Sequence, residues 1–355
     1  MPSGTLRSDA SKGALWALLA AGLFGASAPL GKVLLAHTSP IALAALLYLG
    51  AGIALTVARW ASSGAREAAL RRSDGPWIAA TLVAGGVLGP LLMLTGLHRI
   101  SGVTGALLLN LEMPFTVLLA VLLFREHLGG WELTGGLFIG AAAVFLGMGP
   151  TEGLADGVGV AAVAGACLCW AVDNNLTARI SLRDPVAVAQ WKTLGAGLCS
   201  LGLCLPLGAS VPTLAVASKA LALGALSYGL SLVLTLRALR VLGAARQSAY
   251  FAAAPFAGAL LSVPLLGDSL GPAEIGAATS MATGVALLLR ARHAHTHSHA
   301  ELAHDHLHVH DEHHQHAHAE PSEEPHAHPH RHEALRHEHA HVSDAHHRHK
   351  HGRAN

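Results

Sequence analysis

Apolar runs long enough to cross a hydrocarbon core as helix, about 17–25 residues each, recur along residues 13–290 with short charged or Pro- and Gly-bearing breaks between them. Ten are legible, at 13–35, 40–58, 77–97, 102–124, 132–148, 157–179, 185–207, 214–236, 243–265 and 273–290. Several carry small residues close together, as in Gly85-Gly86, Gly135-Gly136 and Gly195-Ala196-Gly197. Small residues let helices approach backbone to backbone in lipid, where the hydrophobic effect supplies no drive between them. The pattern predicts an all-α integral membrane bundle.

Composition narrows this further. Residues are 52% hydrophobic and 13% charged, too few polar groups to cover a soluble domain of this length. Alternating polar and apolar strands of the outer-membrane-barrel kind are scarce. A net charge of +1 gives no sign of a nucleic-acid partner. All four cysteines (Cys167, Cys169, Cys199 and Cys204) stand inside apolar runs, which predicts small buried side chains and no disulfide framework. The first run, ending in Ala26-Ser27-Ala28, has the outline of a secretory signal. Pro29 disfavours cleavage there, and a matching segment recurs later, so it is read as a retained span.

Charge also sets an orientation. With the N-terminus inside, fourteen lysines and arginines, from Arg7 through Arg71, Arg183 and Arg240 to Arg292, fall on the cytoplasmic side. Lys32, Arg99 and Lys219 fall on the other. By the positive-inside rule, both termini are cytoplasmic and the chain lies in the cytoplasmic (inner) membrane.

An internal repeat organises the spans. Ser39-Pro40-Ile41-Ala42-Leu43-Ala44 returns as Asp184-Pro185-Val186-Ala187-Val188-Ala189, and Leu49-Gly50-Ala51-Gly52 returns as Leu194-Gly195-Ala196-Gly197. Pro114-Phe115 matches Pro255-Phe256, and Leu128-Gly129 with Glu132 matches Leu270-Gly271 with Glu274. The units are residues 13–149 and 156–290, after a cytoplasmic stretch 1–12 and before a tail 291–355. An odd number of spans per unit makes the second copy enter the membrane from the other side. Inverted repeats of that kind build secondary transporters, with substrate held near mid-membrane between the halves.

At this point the residues resemble a known family, the EamA-type drug/metabolite transporters. The likeness rests on Leu23-Phe24-Gly25-Ala26-Ser27, on Ser101 to Pro114 with Phe124-Arg125-Glu126-His127-Leu128, and in the second copy on Cys169-Trp170-Ala171, the run to Pro255, and Gly267-Asp268-Ser269-Leu270. It implies a ten-span secondary carrier and no enzyme, often an exporter of amino acids, metabolites or toxic compounds. Leu47 and Lys192 stand where the family often has arginine, and Asp268 replaces its usual glutamate.

Ionisable groups deep in a span are costly unless paired or facing water, which makes them functional candidates. Lys192 stands seven residues past Pro185, about 10 Å into the membrane at ~1.5 Å per residue. Asp173 stands at a similar depth, six residues before Arg179 on the preceding helix. The two are read as an ion pair, acting either on substrate or as a lock between helices. Trp170, Asn174, Asn175 and Gln190 are expected at the same level. Glu112, with Asn110, marks the middle of the fourth run, as a proton carrier or as a neutral hydrogen-bonded acid. Pro114 and Pro255 predict kinks, Tyr48, Tyr228, Gln247 and Tyr250 are weaker cavity candidates, and Lys32 is expected to snorkel.

All of the 26 histidines except His37, His98 and His127 fall in the tail, which is nearly free of apolar residues and reads as disordered. Neutral imidazole suits Zn²⁺, Ni²⁺, Co²⁺ and Cu²⁺. The candidate ligands are His293, His295, His297, His299, His304, His306, His308, His310, His313, His314, His316 and His318. The tail binds metal in this reading, whether to regulate, to store or to deliver it. Two further readings stand beside the exporter: a divalent-metal carrier fed by the tail, and a metal-binding membrane sensor without transport. The expected partners are a small-molecule substrate, membrane lipid and tail-bound divalent ions, with a homodimer left open.

Overall fold

The computed structural model describes residues 3–61, 68–124, 128–147, 157–180, 183–290, 293–299, 302–308, 326–332 and 335–341. Nine helices among them are long and apolar enough to cross a membrane. These are α1 (Ser11–Leu35), α2 (Pro40–Ala61), α3 (Arg72–Arg99), α4 (Gly102–Leu123), α5 (Gly130–Gly147), α6 (Gly157–Ile180), α8 (Leu214–Leu242), α9 (Arg246–Leu266) and α10 (Pro272–Arg290). Between α6 and α8 runs α7 (Pro185–Cys204), 20 residues long. Its middle reads Gln190-Trp191-Lys192-Thr193, which lowers its mean hydropathy below that of the other nine. The chain is a multi-pass helical membrane protein. Arg125, Glu126 and His127 lie outside the described residues.

Local chemistry starts several helices. Asp184 caps α7 by accepting from the amides of Val186 (2.9 Å) and Ala187 (3.0 Å), ahead of Pro185 in the first turn. Ser101 caps α4 through the Thr104 amide at 3.0 Å. Several helices are irregular inside the bundle. A π-helical stretch interrupts α3 at Leu82–Leu88 and α8 at Ala225–Leu230. A 3₁₀ turn at Leu109–Leu111 precedes Pro114 in α4, and a turn at Ala252-Ala253 precedes Pro255 in α9. The two expected kinks therefore coincide with changes of helix type rather than simple bends.

In the packing, α2 lies along α7 and α8, α3 along α6 and α7, α1 along α8 and α9, α4 along α6 and α9, and α5 pairs with α10. Glycine makes the α2–α8 contact. A Cβ on Gly224 would lie 1.9 Å from the Leu47 carbonyl oxygen, and one on Gly50 would lie 2.1 Å from that of Leu221. Leu43, Leu55, Leu97, Leu107, Ile139 and Met281 are buried in the core, whereas Leu122, Phe145 and Leu201 are exposed on helix faces turned outward. In a membrane those outward faces meet lipid.

Lys32 is half-buried near one end of the bundle. Its ammonium donates to the carbonyls of Leu97 (2.8 Å) and Ile100, tying α1 to the end of α3, where a cation also suits the helix dipole. Beside it Asp268, between α9 and α10, accepts from the Val103 amide at 3.0 Å. The opposite end of the bundle is held by Arg183 on Asp74 (2.7 Å) and Arg59 on Asp184 (3.3 Å).

Past Arg290 the described segments are four strands, β1 (His293–His299), β2 (Leu302–His308), β3 (His326–His332) and β4 (Leu335–His341). β1 pairs antiparallel with β4 and β2 with β3, where composition alone predicts no folded structure. Two-stranded ribbons need only backbone pairing and no apolar core, so a tail without one can form them, though marginally in water. His310, His313, His314, His316 and His318 lie outside the described residues.

Candidate functional site

A cavity of about 300 Å³ opens between α1, α4, α6 and α9. Phe24 comes from α1, Asn110, Glu112 and Thr116 from α4, Asn174 from α6, and Gln247, Phe251 and Pro255 from α9. The 3₁₀ turn at Leu109–Leu111 runs directly into the segment Glu112–Phe124 and sets the rotation at which Glu112 leaves the helix.

Glu112 is half-buried and accepts from the Asn174 side-chain amide at 2.8 Å. The same amide reaches the Thr116 hydroxyl at 3.4 Å, and Asn175 donates to the Thr116 carbonyl at 3.1 Å. Two adjacent asparagines of α6 thus clamp one turn of α4. Asn110 donates to the Leu107 carbonyl at 2.9 Å and touches the Met281 sulfur at 3.8 Å.

Behind the cavity, Lys192 and Asp173 form a direct ion pair between α7 and α6, with side chains 21% and 6% exposed. At those exposures water screens neither charge well, so the pair depends on its own geometry. Thr177 adds a hydroxyl donor to Asp173 at 3.1 Å. Glu112 lies within electrostatic range of both members of the pair. Gly85 makes room for Asp173, since a Cβ there would fall 2.0 Å from its Oδ2. Gly85 also stands in the π stretch of α3, and its carbonyl accepts from Tyr48 at 2.9 Å and Trp170 at 3.0 Å. A π turn loosens the backbone ladder and leaves carbonyls open to such donors.

Of the residues expected at one level, Asp173 and Lys192 pair directly, Trp170 reaches the Gly85 carbonyl beside Asp173, and Asn174 and Asn175 meet Thr116, with Asn174 also joining them to Glu112. Gln190 is elsewhere. It accepts from Arg59 at 2.8 Å and donates to Thr56 at 2.8 Å, beside the Arg59–Asp184 pair at the helix end. Residues i and i+2 of a helix face apart, so Gln190 and Lys192 could not share a site. Gln247 lines the cavity and Tyr250 is not among its lining residues. Tyr48 and Tyr228 stack at 5.8 Å, and Phe24 meets Tyr228 at 5.8 Å. Sequence reasoning passed over Gly85, Thr116 and Thr177. Gly85-Gly86 and the four-residue steps from Glu112 to Thr116 and from Asp173 to Thr177 were the available signals.

Among the described residues, no three His, Cys, Asp or Glu come together as a metal site.

Comparison with known proteins agrees with this architecture. The model of the EamA-like transporter family matches the chain twice, at residues 11–148 and 157–290. A curated relative from Methanothermobacter thermautotrophicus, described as an uncharacterized transporter, is 30% identical over 285 residues, covering 75% of this chain and 82% of its own. A crystal structure described only as that of a protein aligns with a TM-score of 0.55 at 23% identity, over 79% of this chain and 97% of its own, and shows the fold alone. With both family matches falling on the helices that enclose the cavity, the chain belongs to the EamA-like transporter family.

Proposed function

We propose that the protein is a secondary carrier exporting a small polar organic molecule, such as a metabolite, amino acid or toxic compound. One observation carries this reading: the cavity is built from both family-matched units. Phe24 and Glu112 come from the first, and Asn174 and Gln247 from the second. A site between two repeats is where relative movement of the halves changes access.

The finer architecture is ten spans in two inverted five-helix repeats, with α7 as the seventh. The packing supports it by mirroring itself when each helix is advanced by five. The contact of α3 with α6 answers that of α8 with α1, and α3 with α7 answers α8 with α2. The charge bias supports both ends in the cytoplasm, with the bundle in the inner membrane. The tail is a cytoplasmic metal-binding segment in this reading, regulating the carrier rather than feeding it.

Purified protein in sealed proteoliposomes tests the proposal. Efflux of at least one member of a panel of amino acids, amines, nucleosides and carboxylates is expected, with Lys192→Ala and Asp173→Ala inactive. Flux of Ni²⁺, Co²⁺ or Zn²⁺ that disappears on deleting residues 293–355 would turn the reading into a metal carrier. No flux of any compound would leave a sensor.

A further inference from the structure

We infer that the cavity is a cation site, taking an organic ammonium with a compact apolar body, and that Glu112 holds the charge. The inference rests on the transporter reading only in calling the guest a substrate.

The argument is a charge count. Three ionisable side chains interact at this depth: Glu112, Asp173 and Lys192. Asp173 and Lys192 bind one another directly and cancel. Glu112 is left with Asn174, whose amide donates at 2.8 Å but carries no charge. An ionised Glu112 therefore leaves one negative charge without a countercharge in a cavity whose other lining residues are neutral. In a medium poor in water such a charge is costly, and a monocation removes that cost. An anionic guest would meet the same carboxylate and be repelled.

The walls describe the rest of the guest. Phe24 and Phe251 lie 5.3 Å apart at 45°, and Met113, Val117 and Pro255 complete an apolar lining. Aromatic faces attract cations and accept a flat hydrocarbon body equally well. About 300 Å³ suits a guest of roughly one ring with a short chain and is small for a drug-sized molecule. The amide of Gln247 stands in the lining to orient a second polar group.

Three probes of nearly one shape separate charge from size: 2-phenylethylamine, 3-phenylpropanoate and 2-phenylethanol. Full-length protein in detergent is titrated with each by calorimetry and by thermal shift. The amine is expected to bind and stabilise, with the alcohol and the carboxylate at least about tenfold weaker, as for loss of a charged hydrogen-bond partner. Glu112→Gln keeps an acceptor for Asn174 and should fold, while losing about 10- to 100-fold in amine affinity. Equal or tighter binding of the carboxylate, an amine affinity unchanged in Glu112→Gln, or no binding of any probe overturns the site. Proteoliposome flux separates the two ideas. Carboxylate flux without amine binding sinks the cation site and leaves the carrier. Amine binding without flux of any compound does the reverse.

Discussion

Lys192 and Asp173 illustrate how much one contact decides at the scale of the residue. Each would be an isolated charge among helices without the other, and breaking such a pair costs about 3–5 kcal/mol because the surviving charge is stranded. Lys192→Ala should therefore lower the thermal stability of the detergent-solubilised protein by several degrees. The double variant Lys192→Met with Asp173→Leu should regain most of that loss, since two matched apolar side chains need no counter-ion. Fluorescence-detected size exclusion after heating reads both outcomes. Transport then separates lock from machine. Recovery of stability with full activity would assign the pair to helix locking, whereas recovery with none would assign it to the transport cycle.

The element scale is governed by glycines and by departures from the α-helix. Gly224 faces the Leu47 carbonyl so closely that alanine there would place its Cβ 1.9 Å from oxygen, and α8 would have to shift from α2. Gly224→Ala is expected to cost about 1–3 kcal/mol, the usual penalty of overpacking. Gly276 on α10 has nothing within 4 Å of such a Cβ, so Gly276→Ala should be neutral or slightly stabilising, by up to about 1 kcal/mol. Equal losses at both positions would show that helix propensity, not the close approach, sets the effect. The π stretches of α3 and α8 occupy matching places, with Gly86 and Gly229 standing 143 residues apart, between the early and late spacings of the repeat. Each glycine opposes an alanine methyl of its neighbour, Ala196 on α7 and Ala54 on α2.

For the whole molecule the open quantities are sidedness and the tail. Reporter fusions after Arg292 should signal from the cytoplasm and fusions near Ala209 from the outside; the reverse pattern would invert every assignment of inner and outer face. Purified full-length protein should take up Zn²⁺ or Ni²⁺ at pH 7.5 and release it as pH falls through about 6.5, because protonated imidazole has no lone pair to donate. Calorimetry with a variant truncated after Arg292 provides the comparison. Metal uptake that the truncation leaves intact would place the ions elsewhere.

Sequence alone determined the membrane bundle, the approximate bounds of nine apolar helices among the described residues and the family resemblance, because these follow from one-dimensional quantities: run length and the order of residues along the chain. Burial cost, which makes a charge in a span conspicuous, also brought Lys192, Asp173 and Glu112 forward before any fold was known. Which way each side chain faces was decided by the tertiary structure. Gln190 turned to Arg59 while Lys192, two residues on, turned to Asp173. Lys32 found the carbonyls of Leu97 and Ile100 at the end of α3. The Gly85 carbonyl, the Asn174–Glu112 bond and the aromatic walls arise where helices distant in sequence meet. Hydropathy is a sum along the chain, whereas a cavity and its charge balance depend on helix rotation, helix type and contact across the bundle, which no such sum contains.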